Sequence, residues 1–128
     1  MGFMEPSPKD LSNLVVRVEK WEREHLLVGD SRVRRHVLVA LYAYTHEAPC
    51  RVKDLVRLLQ RPERSIRVCL MSLEKQGLIR SARDLEDPRG RVYCLPERMR
   101  SRLAQYFAFQ IELWRGLNSQ VGHDRRSA

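Results

Sequence analysis

The apolar positions of this chain keep a helical rhythm for most of its length and break it once. From residue 7 to residue 28, Leu11, Leu14, Val18, Trp21, His25 and Val28 recur at alternating spacings of three and four. That spacing predicts a helix with one stripe of heptad type. Ser7 is a capping residue, Pro8 suits the first helical position, and Gly29 and Asp30 end the element. A second helix is predicted over 32–47, capped by Ser31 or Asp30, with Val33, Val37, Leu38, Leu41 and Tyr42 inward and Pro49 closing it. A short third helix over 51–59 turns Val52, Leu55, Leu58 and Leu59 inward. After Gln60 and Arg61, Pro62 opens a fourth helix that runs to about Gln76. Glu63 sits in its first turn, where the helix dipole favours an anion, and Gly77 is the expected left-handed residue past its end. Its core side is Ile66, Cys69, Leu70 and Leu73.

Beyond Gly77 the period falls from about 3.6 to 2. Leu78-Ile79-Arg80 and Arg91-Val92-Tyr93-Cys94-Leu95 predict two short strands. Between them, Asp87-Pro88-Arg89-Gly90 fits a type I turn, with Asp first, Pro second and Gly fourth, so that Arg89 projects from the tip. A last helix, about 97–117, carries Met99, Leu103, Tyr106, Phe107, Gln110, Ile111, Trp114 and Leu117 along one broad side, and a polar tail follows from 118 to 128. Two short helices joined by a tight turn and followed by a hairpin describe a winged helix-turn-helix in a mainly α chain with a small β-hairpin.

Composition sharpens this reading. The 128 residues are one domain's worth of chain, with a formal net charge of +8. Residues 1–50 carry seven basic and seven acidic residues, 51–102 carry fourteen and seven, and 103–128 carry three and two. The excess therefore lies in the helix-turn-helix and hairpin, and localised basicity suggests a polyanion such as nucleic acid. The fourth helix leaves Arg64, Arg67, Val68, Met71 and Lys75 on the side away from its core positions. Arg64 and Arg67 suit guanine edges in a major groove, Ser65 suits a phosphate or a base, and Val68 suits a thymine methyl. Arg51, Lys53 and Arg57 are candidates for phosphates, which fix register rather than sequence. Arg89 suits a narrow minor groove, with Arg91 beside it.

The acidic run Asp84, Glu86, Asp87 is unexpected next to those arginines. As the first turn residue, Asp87 can accept backbone amides and pair with Arg89 or Arg91, and Asp84 and Glu86 are expected to pair with Arg80, Arg83 or Arg91 across the hairpin. Trp21, Tyr106, Phe107 and Trp114 are large apolar anchors on the two end helices, of the kind that dominate interfaces. Leu14, Val18 and Ile111 complete a candidate interface there, unless the two helices cover each other within one chain.

Other chemistry is thinly represented. Histidines 25, 36, 46 and 123 are scattered, and no phosphate loop, zinc motif or nucleophile elbow is present, so no enzyme, metal or cofactor is expected. Cys50, Cys69 and Cys94 form no C-x-x-C pair and an odd set, which suggests free thiols in a reducing compartment and leaves a redox switch as a weaker alternative. The first residues lack a signal peptide's basic start and apolar core, and no apolar run spans a bilayer, which suggests the cytoplasm.

Residues 51–97 resemble the DNA-binding core of the MarR family of regulators. The resemblance rests on Val52, Asp54, Leu55 and Leu58, then Leu73-Glu74-Lys75-Gln76-Gly77-Leu78-Ile79, then Asp87-Pro88-Arg89, then Leu95-Pro96-Glu97, in register without a gap. The chain departs from the family's pattern at Gln60, where Gly is common in the turn, and at Pro62, Val68, Met71, Pro96 and Met99. The resemblance implies an N-terminal dimerisation helix (1–30), a winged DNA-binding core (31–96) and a C-terminal dimerisation helix (97–117) ahead of a flexible tail (118–128). It implies a homodimer on a pseudo-palindromic DNA site, with the wing arginine in the minor groove. It also implies a small-molecule effector between the dimer helices and the DNA-binding lobe, for which His25, Trp21, Tyr42 and Tyr44 are candidate lining residues. A winged-helix module that binds protein, and a DNA-associated protein without sequence preference, share the same features.

Overall fold

The computed structural model describes residues 6–26, 29 and 31–127, with side chains as far as Leu117. The elements run α1 (Pro8–His25), α2 (Arg32–Leu41), β1 (Cys50–Arg51), α3 (Val52–Leu59), α4 (Glu63–Lys75), β2 (Arg80–Arg83), β3 (Arg91–Cys94) and α5 (Glu97–Ser127). They divide into two compact units. One is Val28–Leu103; the other joins α1 to α5 from Ala104 onward, so α5 contributes to both.

In the Val28–Leu103 unit, the predicted core positions meet. Val37, Leu38 and Leu41 of α2, Leu55 of α3, and Ile66, Leu70 and Leu73 of α4 are buried together with Ile79, Met99 and Leu103. Ser31 caps α2, its hydroxyl accepting the Arg34 amide at 3.3 Å. The helix stops at Leu41, short of the expected 47. The amides of Tyr42, Ala43 and Tyr44 bond only three residues back, a tightening that ends the α-helical ladder. Arg100 of α5 then donates to the freed carbonyls of Tyr42, at 3.3 Å, and Tyr44, with its guanidinium over the Tyr42 ring.

Helix α4 ends as expected at Gly77, which is left-handed with φ 76° and lets the Leu78 amide reach back to the Leu73 carbonyl at 3.0 Å. The turn between α3 and α4 puts Gln60 at φ 51°, the one non-glycine in that region among the described residues. Leu58 differs from expectation: it is 58% exposed. At 3.6 residues per turn it lies about 90° from the centre of the face made by Val52, Leu55 and Leu59, so a packed α3 turns it outward.

The hairpin forms a three-stranded antiparallel sheet in the order β1-β3-β2. Arg80 pairs with Cys94 and Ala82 with Val92, while the unpredicted β1 pairs Cys50 with Tyr93 and Arg51 with Val92. Leu78 and Ile79, expected in the strand, are buried ahead of it.

In the other unit, Ser7 and Asp10 form the capping box that starts α1. Trp21 stacks on Tyr106 and Phe109 of α5, with centroids at 5.2 and 5.8 Å, and on His25 at 4.3 Å. Tyr106 donates its hydroxyl to Glu22. No α1 residue is fully buried, and Leu11, Val15, Val16, Ile111 and Trp114 remain exposed. Helix α5 continues past Leu117 to Ser127. Val28, Asp30 and the side chains of the 118–128 tail lie outside the described residues.

Candidate nucleic-acid interface

Helix α4 buries Ile66, Cys69, Leu70 and Leu73, and that choice fixes what its other side presents. Arg64, Ser65, Arg67, Val68, Met71 and Lys75 are all exposed, as the periodicity requires. Val68 and Met71 are 60% and 71% exposed, so the two apolar departures from the family pattern on α4 are surface side chains rather than core ones. Arg67 bridges to Glu63 one turn earlier at 3.4 Å, with both side chains largely in solvent.

The wing is built by its acidic run. The Gly90 amide bonds the Asp87 carbonyl at 2.9 Å, the bond expected of a turn with Pro88 and Arg89 in its middle. The Asp87 carboxylate accepts the Arg89 amide at 3.1 Å, an Asx-type contact that fixes the tip. The Asp84 amide closes the loop on the Gly90 carbonyl at 3.1 Å. Arg89 is left exposed on the turn.

Asp84 and Glu86 find a different partner from the hairpin arginines expected for them. Both reach Arg51, the residue that precedes α3. The Arg51 guanidinium donates to Asp84 through Nε at 2.6 Å and Nη2 at 3.1 Å, and to Glu86 at 3.1 Å. The reason is β1: pairing Arg51 with Val92 brings it beside the wing, while Arg91 is drawn to the other side, donating to the Ser81 hydroxyl at 3.1 and 2.8 Å. Asp84 is only 3% exposed. The Arg51 fork, aided by the Glu86 amide, holds its carboxyl at about 2, well below the usual carboxylate range. Arg51, expected on a phosphate, is thus engaged by carboxylates, and its own protonated form is strengthened mainly by Asp84.

The candidate residues converge on two depressions. A cavity of about 550 Å³ between α3, α4 and the wing is lined by Arg51, Lys53, Arg67, Arg89 and Arg91, with Glu63, Asp84, Glu86 and Asp87 also on its walls. A second, of about 460 Å³, joins Arg64, Ser65 and Val68 to Ser31, Arg34 and Arg61. The sequence reading missed Arg34 and Arg61; the only signal for them was their sign, because contact between the start of α2 and the start of α4 is tertiary. The end-helix candidates separate differently. Tyr106 is buried, Leu14, Val18, Trp21 and Phe107 are half-buried, and Ile111 and Trp114 are exposed. Part of that apolar surface therefore covers itself within one chain.

Trp21 and His25 belong to the end-helix unit, Tyr42 and Tyr44 to the other. Tyr44 lines a cavity of about 840 Å³ with Pro49, Val92 and Cys94 on the outer face of the sheet. Burial, then Asp54, pushes the Cys50 thiol up to about 12, and burial also raises Cys69, so neither has the thiolate character of a reactive cysteine. Among the described residues no group of His, Cys, Asp and Glu has metal-site geometry, and no helix is long and apolar enough to cross a membrane.

A helix-turn-helix whose second helix is exposed and arginine-bearing, followed by a sheet with a projecting turn, is a winged helix-turn-helix architecture, here with a long helix at each end of the chain. Solved structures agree. The chain is similar to the Staphylococcus aureus MepR–DNA complex, at 18% identity and TM-score 0.73 over 92% of this chain and 93% of that one. It is similar to the transcriptional regulator Tm0710 from Thermotoga maritima (18%, TM-score 0.64, 93% and 82%) and to the adhesin competence repressor AdcR from Streptococcus pyogenes (19%, TM-score 0.56, 90% and 81%). No protein-family model and no curated relative matches the sequence. The fold implied by the sequence resemblance is therefore the fold observed.

Proposed function

We propose that this chain is a sequence-specific, double-stranded DNA-binding transcriptional regulator that acts as a homodimer on a pseudo-palindromic site and catalyses no reaction. Helix α4 enters the major groove, with Arg64 and Arg67 on base edges, Ser65 on a base or phosphate, and Val68 on a thymine methyl. The wing enters the minor groove through Arg89, and Arg91 and Lys53 meet the phosphates between the two grooves. One observation carries this reading: Arg67 on α4 and Arg89 on the turn line the same cleft. A reading helix and a wing must straddle one backbone strand, and a cleft with basic side chains on both walls suits that strand. A structure similar to this chain was solved as a DNA complex, which supports the reading.

The exposed apolar residues Leu11, Val15, Val16, Ile111 and Trp114 of the end helices support association of two copies. Two copies related by a two-fold axis read half-sites about 34–36 Å apart. The test is a titration of the full chain against random duplex in low salt, with light scattering for mass. Micromolar or tighter binding by a dimer supports the proposal; a monomer that binds no duplex favours a protein-binding module instead.

A further inference from the structure

The geometry points to Asp84 and Arg51 as a positioning pair for the wing. Their ion pair is a strut between the acidic loop of the hairpin and the start of α3, and it sets where the turn presents Arg89 relative to α4. The inference rests on the wing contacting DNA.

Each end of the strut has its own backbone anchor. At the α3 end, the Arg51 amide donates to Asp54 at 2.8 Å, which ties Arg51 to the first turn of α3, and its pairing with Val92 joins that turn to β3 at the base of the wing. At the wing end, the Asp84 carboxylate accepts the Glu86 amide at 3.0 Å and the Asp84 amide donates to the Gly90 carbonyl, so Asp84 moves with the turn. Between them run two parallel N–H···O bonds, a bidentate fork that fixes angle as well as distance. Among the described residues, the other polar ties of the 84–90 loop are the Arg51–Glu86 contact, bonds within the loop, and the ends of β2 and β3. A two-stranded hairpin extending past its sheet is weakly held by its own bonds. The fork adds a tie with fixed angle.

The pair also accounts for an acidic run beside a DNA-binding turn. Glu86 shares the Arg51 guanidinium, and Asp87 is engaged by the turn amides. Of the three carboxylates that would repel phosphate, Asp84 is buried, and Glu86 and Asp87, exposed on the cleft wall, are each engaged by a donor of the protein. They set the shape of the wing while Lys53, Arg67, Arg89 and Arg91 hold the charge of the cleft.

The test uses the full chain. Asp84→Asn keeps the shape and removes the charge, and R51Q/D84N removes both charges without leaving one buried and unpaired. Two readouts are needed: amide hydrogen exchange, and affinity for the best duplex recovered from a random pool, each with and without Arg89→Ala. A positioning pair predicts that exchange at Glu86 and Gly90 accelerates about tenfold or more while Leu70 and Leu73 in α4 keep their protection. It predicts that Asp84→Asn weakens duplex binding about tenfold when Arg89 is present and less than about twofold when Arg89 is already alanine, since residues acting through one another do not add. Equal losses in both backgrounds, or unchanged wing exchange, overturn the inference. If the unaltered chain binds no duplex, the proposed function fails, and the exchange measurement still decides whether the strut holds the wing. Should Asp84→Asn not fold, R51Q/D84N is read in the same way.

Discussion

Glu63 and Arg67 face each other one turn apart on the exposed side of α4, with 3.4 Å between carboxylate and guanidinium. Exposed pairs at this spacing contribute little to stability, about 0.3–0.5 kcal/mol. If this face reads DNA as proposed, Glu63 competes with phosphate and base for the same arginine. Glu63→Gln is expected to raise affinity for any duplex a few-fold while lowering stability by no more than about 1 kcal/mol, the loss of a favourable first-turn charge. A drop in affinity measured by fluorescence anisotropy would instead make Glu63 a DNA contact in its own right.

Arg67→Ala separates reading from adhesion. A guanidinium on a base edge contributes about 1–3 kcal/mol of discrimination. Loss on the preferred duplex is expected to exceed loss on random duplex by that amount. Equal loss on both assigns Arg67 to the backbone.

Arg89 sits on a turn whose bonds are made by Asp87 and Gly90, not by its own side chain. Arg89→Ala should leave the melting temperature unchanged. DNA binding should weaken, and if a phosphate is involved the log–log salt slope should fall by about 0.9. A shifted melting temperature would show that the side chain also supports the wing.

The left-handed residue Gln60 is the clearest local strain among the described residues, at φ 51°. A side chain there costs roughly 1–2 kcal/mol, offset in part by the larger unfolded-state entropy of glycine. Gln60→Gly should therefore stabilise by about 0.5–1 kcal/mol in urea unfolding. At Gly77, φ 76°, the reverse change to alanine should destabilise by about 1 kcal/mol or more.

Acid should expose the Asp84 pair. Its carboxyl is at about 2 in the folded chain against 3.8 as the ordinary value. A depressed folded value means the unfolded chain takes up the proton first. The pair's contribution is therefore complete above about pH 4 and is lost as pH falls towards 2. The gap between the urea midpoints of the unaltered chain and Asp84→Asn should narrow over that window. A constant gap would mean that the carboxylate's charge is irrelevant.

These cases show where the sequence was legible. The Ser7 cap, Gly77 and the Asp87–Gly90 turn are local signals, and each stands in the structure as read, whereas helix spacing located α2 but overran its end at Leu41. The partner of Asp84 was not legible, because it lies 33 residues away and is brought near by a two-residue strand too short to have a period. Leu58 was misassigned because a two-turn helix has too few apolar positions to fix the centre of its buried face. Arg34 and Arg61 reached the candidate interface through packing of α2 on α4, which no local pattern encodes.

The proposed function requires α4 and the wing to read duplex DNA together. Selection from a random duplex pool decides this, with affinity for the winning sequence then followed across salt. A pseudo-palindrome with half-sites about one helical turn apart, bound with a steep negative salt slope of about −0.9 per phosphate, is the expected result. A pool that yields no preferred sequence, or no binding at micromolar protein in low salt, contradicts it.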